Sequence, residues 1–146
     1  MSNQRQHIIE KASALVHMRG FSNTSVEDIL VASRIGKGQF YYYFKSKEDL
    51  GYAILDWMLI TWRDHLLAEM FGGEREILVQ VNRFLDRMVE RQSQLGCRGG
   101  CLFGNMALEL SDLHEGFRQK INEIFTVWKS ELEKALADLK DLTGDH

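Results

Sequence analysis

The segment at residues 24–47, TSVEDILVASRIGKGQFYYYFKSK, most narrows what this chain can fold into. Ser25 and Asp28 have the spacing of a capping box, with Asp in place of the usual Glu or Gln, so a helix starts at Thr24 or Ser25. Ile29, Leu30 and Ala32 form its inner face. Gly36 breaks the chain, and a second short helix runs over residues 37–44. A helix-turn-helix needs a tight turn, a small residue within it and an apolar inner face, so that the first helix props the second into the major groove of DNA. Ile35, Gly36, Lys37 and Gly38 supply the turn, and Phe40 and Phe44, spaced i and i+4, supply the face with Tyr43 beside them. Lys37, Gln39, Tyr41 and Tyr42 then point outward or sideways.

The rest of the chain reads as helix. It contains no proline, the main helix breaker. A first helix over residues 4–18 places Ile8, Ala12, Leu15 and Val16 at helical spacing; Gly20 ends it and Phe21 packs behind the stop. Ser46 is a good N-cap for a fourth helix that continues through Leu50, Ile54, Trp57, Met58, Thr61 and Leu66 to about Met70. Phe71, Gly72 and Gly73 mark a boundary. A helix over residues 74–95 follows, with Ile77, Val81, Phe84 and Met88 on one stripe. Residues 96–104 hold four glycines and both cysteines and read as a loop leading into a helix over residues 102–110. The last helix covers residues 114–142, with Phe117, Ile121, Ile124, Trp128, Leu132 and Leu139 as its apolar stripe. Repeats and strand-like alternation are absent, so the expected class is all-α: a three-helix head followed by a helical body.

Net charge is −3, which alone argues against a nucleic-acid partner. Its distribution argues the other way. Residues 1–47 carry seven Lys/Arg against three Asp/Glu, and residues 48–146 carry eleven against eighteen. A basic front on an acidic body suits a protein that meets phosphate with one end. The N-terminus lacks the apolar core of a signal peptide, and no uncharged window reaches the length of a membrane span. A cytoplasmic protein with reduced cysteines is expected.

Nothing in the sequence points to catalysis. There is no phosphate-binding glycine loop, no nucleophile–base pair and no paired carboxylates in an apolar setting; Asp112 and Glu115 read as helix-end charges near His114. Two cysteines and one distant histidine do not make a four-ligand zinc site, and no cofactor is expected. Cys101 is expected to be a small buried residue and Cys97 an exposed bystander. A thiol switch at Cys97 and Cys101 stands as the alternative.

The pattern GF-x-x-TS-V-x-D-I, followed by I-G-K-G-Q-F-Y-Y-Y-F-K-S-K-E-D-L, resembles the DNA-binding domain of the tetracycline-repressor (TetR) family over residues 5–52. The segment GC-x-x-GC-L-F-G-N-M-A-L-E-L-S-D resembles one found in a subset of that family. The resemblance implies a dimeric repressor of a palindromic operator, with residues 1–47 as the helix-turn-helix domain and residues 48–146 as the regulatory domain. It implies that Lys37 and Gln39 touch bases, that Tyr41 and Tyr42 meet phosphates or thymine methyl groups, and that Thr24, Ser25 and Lys47 hold phosphate. Glu27 departs from the pattern, being acidic where the family often carries a base. The resemblance also implies a small-molecule effector held by the body. Candidate walls are Trp57, Met58, Trp62, Phe84, Met88, Phe103, Met106, Phe117, Phe125 and Trp128, whose aromatic and thioether groups suit an apolar ligand. Family members usually continue with two more helices that form the dimer contact. The chain ends at Thr143–Gly144–Asp145–His146, short of them, so a fragment or a different dimer contact is expected. The competing reading is a helical protein–protein interaction module on a helix-turn-helix scaffold.

Overall fold

The computed structural model describes residues 3–62 and 77–143. Among them are seven helices and no strand: α1 (Asn3–Arg19), α2 (Val26–Ser33), α3 (Lys37–Tyr43), α4 (Lys47–Trp62), α5 (Ile77–Gln94), α6 (Leu102–Leu110) and α7 (Glu115–Thr143). The chain forms two compact units, one of residues 1–58 with 98–121 and one of residues 59–97 with 122–146. The expected continuation of α4 past Trp62 through Leu66, the boundary at Phe71 to Gly73 and a helix start at Glu74 lie outside the described residues, as does the side chain of Leu139.

The first unit is built around apolar side chains contributed by every one of its helices. Ile8, Ile9, Ala12 and Val16 of α1 are buried with Ile29 of α2, Phe40 of α3 and Phe44 just after it. Leu50, Ala53, Ile54 and Leu55 of α4, Leu102, Phe103, Met106 and Leu110 of α6, and Phe117 and Ile121 of α7 complete the set. The caps behave as the sequence predicts. Ser25 and Asp28 form a reciprocal capping box at the start of α2, and the Ser46 hydroxyl accepts the Asp49 N–H at 3.1 Å. The Ser25 hydroxyl and N–H both donate to Asp28 and hold its carboxyl below the usual range. Its own N–H and the Ser46 side chain do the same for Glu48. Both groups are depressed on folding, so what they add to stability is full at neutral pH and lost as pH falls through their lowered pKa values.

The turn between α2 and α3 differs from expectation. The residue in left-handed conformation is Arg34 (φ 53°), not a glycine, while Gly36 is the N-cap of α3 at an ordinary φ of −82°. Arg34 closes α2 by donating its N–H to the carbonyls of Leu30 and Val31. A side chain in this conformation costs about 1 kcal/mol relative to glycine. Arg34→Gly is therefore expected to leave stability unchanged or raise it by up to about 1 kcal/mol in urea unfolding.

Gly51 sits inside α4 for a packing reason. A Cβ there would lie 2.7 Å from both the Phe117 Cζ and the Phe21 Cε2 atoms, and both rings are buried. Alanine would gain about 1 kcal/mol of helix propensity, but overpacking against two confined rings costs about 1–3 kcal/mol. Gly51→Ala is expected to be net destabilising, seen as a lower midpoint in thermal unfolding.

The second unit contains the end of α4, α5 and most of α7. Trp62 and Trp128 stack with centroids 4.5 Å apart, Phe125 meets Trp128 edge-on at 6.1 Å, and Ile124 is fully buried. Val81, Phe84 and Met88 of α5 are half-buried, while Leu78, Leu85 and Val89 are exposed.

Candidate nucleic-acid interface

α3 has seven residues and two distinct faces. Phe40 is fully buried, and Phe44, its C-cap, is 1% exposed. Their ring centroids lie 5.7 Å apart, and the Arg5 guanidinium covers the Phe44 ring at 5.1 Å. These contacts hold the helix by one side. The other side presents Lys37, Gln39, Tyr41 and Tyr42, all exposed, with Tyr42 at 81%. Tyr42 is braced edge-on by half-buried Tyr43 at 4.9 Å, so its ring is held outward by a neighbour. Two exposed hydroxyl-bearing rings, an amide and an ammonium on a single short helix can donate to and accept from base edges and phosphates.

The remaining expected contacts sit differently. Thr24 is fully buried, and its hydroxyl donates to the Gly20 carbonyl at 2.8 Å. This corrects its expected place on an exposed phosphate-holding surface: its short side chain closes the α1–α2 turn. Ser25 is exposed, but its hydroxyl is engaged with Asp28, donating to the carboxylate at 2.6 Å and accepting the Asp28 N–H at 3.1 Å. Lys47 is half-buried. Its ammonium lies 4.7 Å from the centre of the Phe21 ring and donates to the Ser22 carbonyl at 3.5 Å. Cation–π attraction and this hydrogen bond tie it to the α1–α2 turn. Glu27 is exposed on α2 and, with Leu15, Arg19, Asp28, Val31 and Ala32, lines an open depression of about 280 Å³.

The expected ligand-pocket residues divide. Phe103, Met106 and Phe117 are at most 3% exposed and belong to the core of the first unit. Phe117 stacks on Tyr52 at 4.3 Å and meets Phe21 edge-on at 5.5 Å. The side chains of Phe103, Met106 and Phe117 pack within the core of that unit. Trp57 and Met58 are half-buried in the same unit. Trp62, Phe84, Met88, Phe125 and Trp128 belong to the second unit, where Phe125 is 41% exposed. The Trp62 indole N–H is buried, and among the described residues it has no hydrogen-bond partner.

Cys101 is exposed at the N-cap of α6, correcting the expectation that it is buried; Cys97 is exposed as expected, in left-handed conformation (φ 57°). Both thiols are accessible, so the native chain is expected to take up two equivalents of an alkylating reagent without denaturant, measured by mass. Among the described residues no cluster of three or more His, Cys, Asp or Glu could hold a metal ion, and no helix is long and apolar enough to cross a membrane.

Sequence reasoning missed His17 and Glu109. The His17 Nε2–H donates to the Gly100 carbonyl at 2.8 Å, and Glu109 of α6 accepts the N–H groups of Phe21 and Ser22. Sequence separations of 83 to 88 residues leave no local signal for such pairs.

Residues 8–54 match the model of bacterial regulatory proteins of the tetR family, and residues 78–142 match that of the tetracyclin repressor-like C-terminal domain. The chain is 34% identical over 145 residues to an uncharacterized HTH-type transcriptional regulator in the lacX 3' region of Lactococcus lactis subsp. lactis, covering 99% of this chain and 72% of that protein. It is 27% identical over 119 residues to the HTH-type transcriptional repressor NemR of Escherichia coli K12, covering 82% of this chain and 60% of the repressor. Among solved structures, regulatory protein TetR from Rhodobacter sphaeroides superposes with a TM-score of 0.87 at 27% identity, over 97% of this chain and 75% of that one. The chain thus spans between 60% and 72% of the length of these curated relatives. With the helix-turn-helix geometry and both halves matched, the chain belongs to the tetR family of bacterial regulatory proteins.

Proposed function

We propose that this chain is a DNA-binding transcriptional repressor, released from a palindromic operator by a small apolar ligand. The observation that carries the reading is the split of α3: Phe40 and Phe44 are sealed in the core while Lys37, Gln39, Tyr41 and Tyr42 of the same short helix stand exposed. Gln39 is suited to adenine N6/N7 and Lys37 to guanine, while Tyr41 and Tyr42 suit phosphates or thymine methyl groups. Ser25 at the N-cap of α2 and Lys47 at the start of α4 would hold phosphate. Residues 1–47 would read DNA and residues 48–146 would regulate. Relatives named as transcriptional regulators and repressors favour this reading over an interaction module without DNA.

The effector site belongs with the second unit. Trp62, Trp128, Phe125, Phe84 and Met88 offer stacked and adaptable apolar surface there, which suits a flat apolar ligand. Reading a palindrome requires two heads about one helical turn of DNA apart, roughly 34 Å, so the working form is a homodimer acting in the cytoplasm.

Operator selection from random duplex DNA, followed by native mass measurement of the complex, tests this reading. The expected product is an enriched palindrome bound by two chains. Failure to enrich any sequence would remove the repressor reading, and a single chain on an asymmetric site would remove the dimer.

A further inference from the structure

The α1–α2 turn is held from three directions within the first unit. Its Phe21 N–H and Ser22 N–H donate to the two oxygens of Glu109 on α6, at 3.3 and 2.9 Å. Its Ser22 carbonyl accepts from Lys47 at the start of α4, and its Phe21 ring lies edge-on to Phe117 of α7. Gly20 makes the carboxylate's approach possible. It has a φ of +87°, and a Cβ there would lie 2.5 Å from the nearer Glu109 oxygen. Immediately upstream of α6, the loop is fastened to the same end of α1: His17 donates to the Gly100 carbonyl, Asn105 donates to the Gly99 carbonyl, and Gly99 (φ +78°) lies against His17.

We propose that Glu109 is a positioning residue for operator binding, clamping the turn from which α2 starts and so fixing the angle at which α2 presents α3. The inference rests on the repressor reading. A carboxylate accepting two backbone N–H groups makes charge-assisted bonds, roughly twice as strong as neutral ones. Downstream of the clamp the chain is short and stiff: the Thr24 hydroxyl donates to Gly20, Ser25 caps α2, and α3 follows after Arg34, Ile35 and Gly36. A turn released from Glu109 lets the pair α2–α3 sample other angles, and apparent affinity falls by the fraction of molecules still in the binding angle. Glu109 touches no DNA in this arrangement; it acts through the turn.

The test uses the full chain and the operator that wild type selects. Glu109→Ala is expected to weaken binding by about tenfold, as when the competent fraction falls to about one tenth. The slope of log affinity against log salt should stay at the wild-type value, because no phosphate contact is lost. Hydrogen exchange at the Phe21 and Ser22 amides should speed up while far-UV circular dichroism is unchanged. Glu109→Gln, which keeps one acceptor oxygen, should fall between the two; if the alanine variant loses helix content, this variant carries the same three measurements. Wild-type affinity in the alanine variant, or a changed salt slope, overturns the positioning role alone. A wild-type chain that selects no sequence removes the repressor reading first, and the positioning role with it.

Discussion

Phe117→Ala is expected to lower the free energy of unfolding by about 3–5 kcal/mol, the range for emptying a buried aromatic site. The ring is fully buried and stacked on Tyr52 with 12° between planes; it also meets Phe21 edge-on and His114 at 5.8 Å. Aromatic pairs add about 0.5–1.5 kcal/mol beyond the area they bury, and this ring makes several. A domain of ordinary stability has about 5–15 kcal/mol in all, so the variant should be close to unfolding at physiological temperature. Urea titration followed by circular dichroism measures the loss. The outcome separates two roles for one residue. A wall of an open ligand pocket could be truncated at small cost to stability, so a loss below about 1 kcal/mol would return Phe117 to the pocket.

The double variant Gln39→Ala/Tyr42→Ala should do the reverse. Both side chains are exposed, so the unfolding midpoint should move by no more than about 0.5 kcal/mol. Operator affinity should drop by about a hundredfold, or roughly 3 kcal/mol, since each well-made base contact is worth about 1–3 kcal/mol of discrimination. Fluorescence anisotropy at one fixed salt concentration is the measurement, with a scrambled duplex alongside. If Gln39 reads a base edge, loss on the operator should exceed loss on the scrambled duplex, because the charge of exposed Lys37 acts on both. Undiminished specific affinity would mean that α3 does not read DNA. A matching loss of stability would mean that Tyr42 supports Tyr43 rather than meeting a ligand.

Local chemistry was legible wherever the physical cause was local. The Ser25–Asp28 box, the Ser46 cap, the stop at Gly20 and the span of α6 all follow from residues within a few positions of one another. Phe40 and Phe44 could be assigned to the inner face from their spacing. The errors share a cause as well. Thr24 looks like a phosphate-holding hydroxyl until the fold puts it at zero exposure with its proton given to Gly20. Cys101 looks like a small core residue until it is found exposed at a helix N-cap. Composition alone also cannot say which core an apolar side chain enters: Phe103, Met106 and Phe117 enter that of the first unit, and Trp62 and Trp128 that of the second.

By itself the sequence determined the helical class, the helix-turn-helix and the family, because periodicity, capping and turn residues act over a few positions and are written contiguously. Which residues hold the head in place was decided only in three dimensions. Glu109 meets Phe21 and Ser22 across 88 and 87 residues, and His17 meets Gly100 across 83. Such bonds exist only because the tertiary fold brings α6 to the α1–α2 turn, where the Glu109 carboxylate accepts the Phe21 and Ser22 N–H groups.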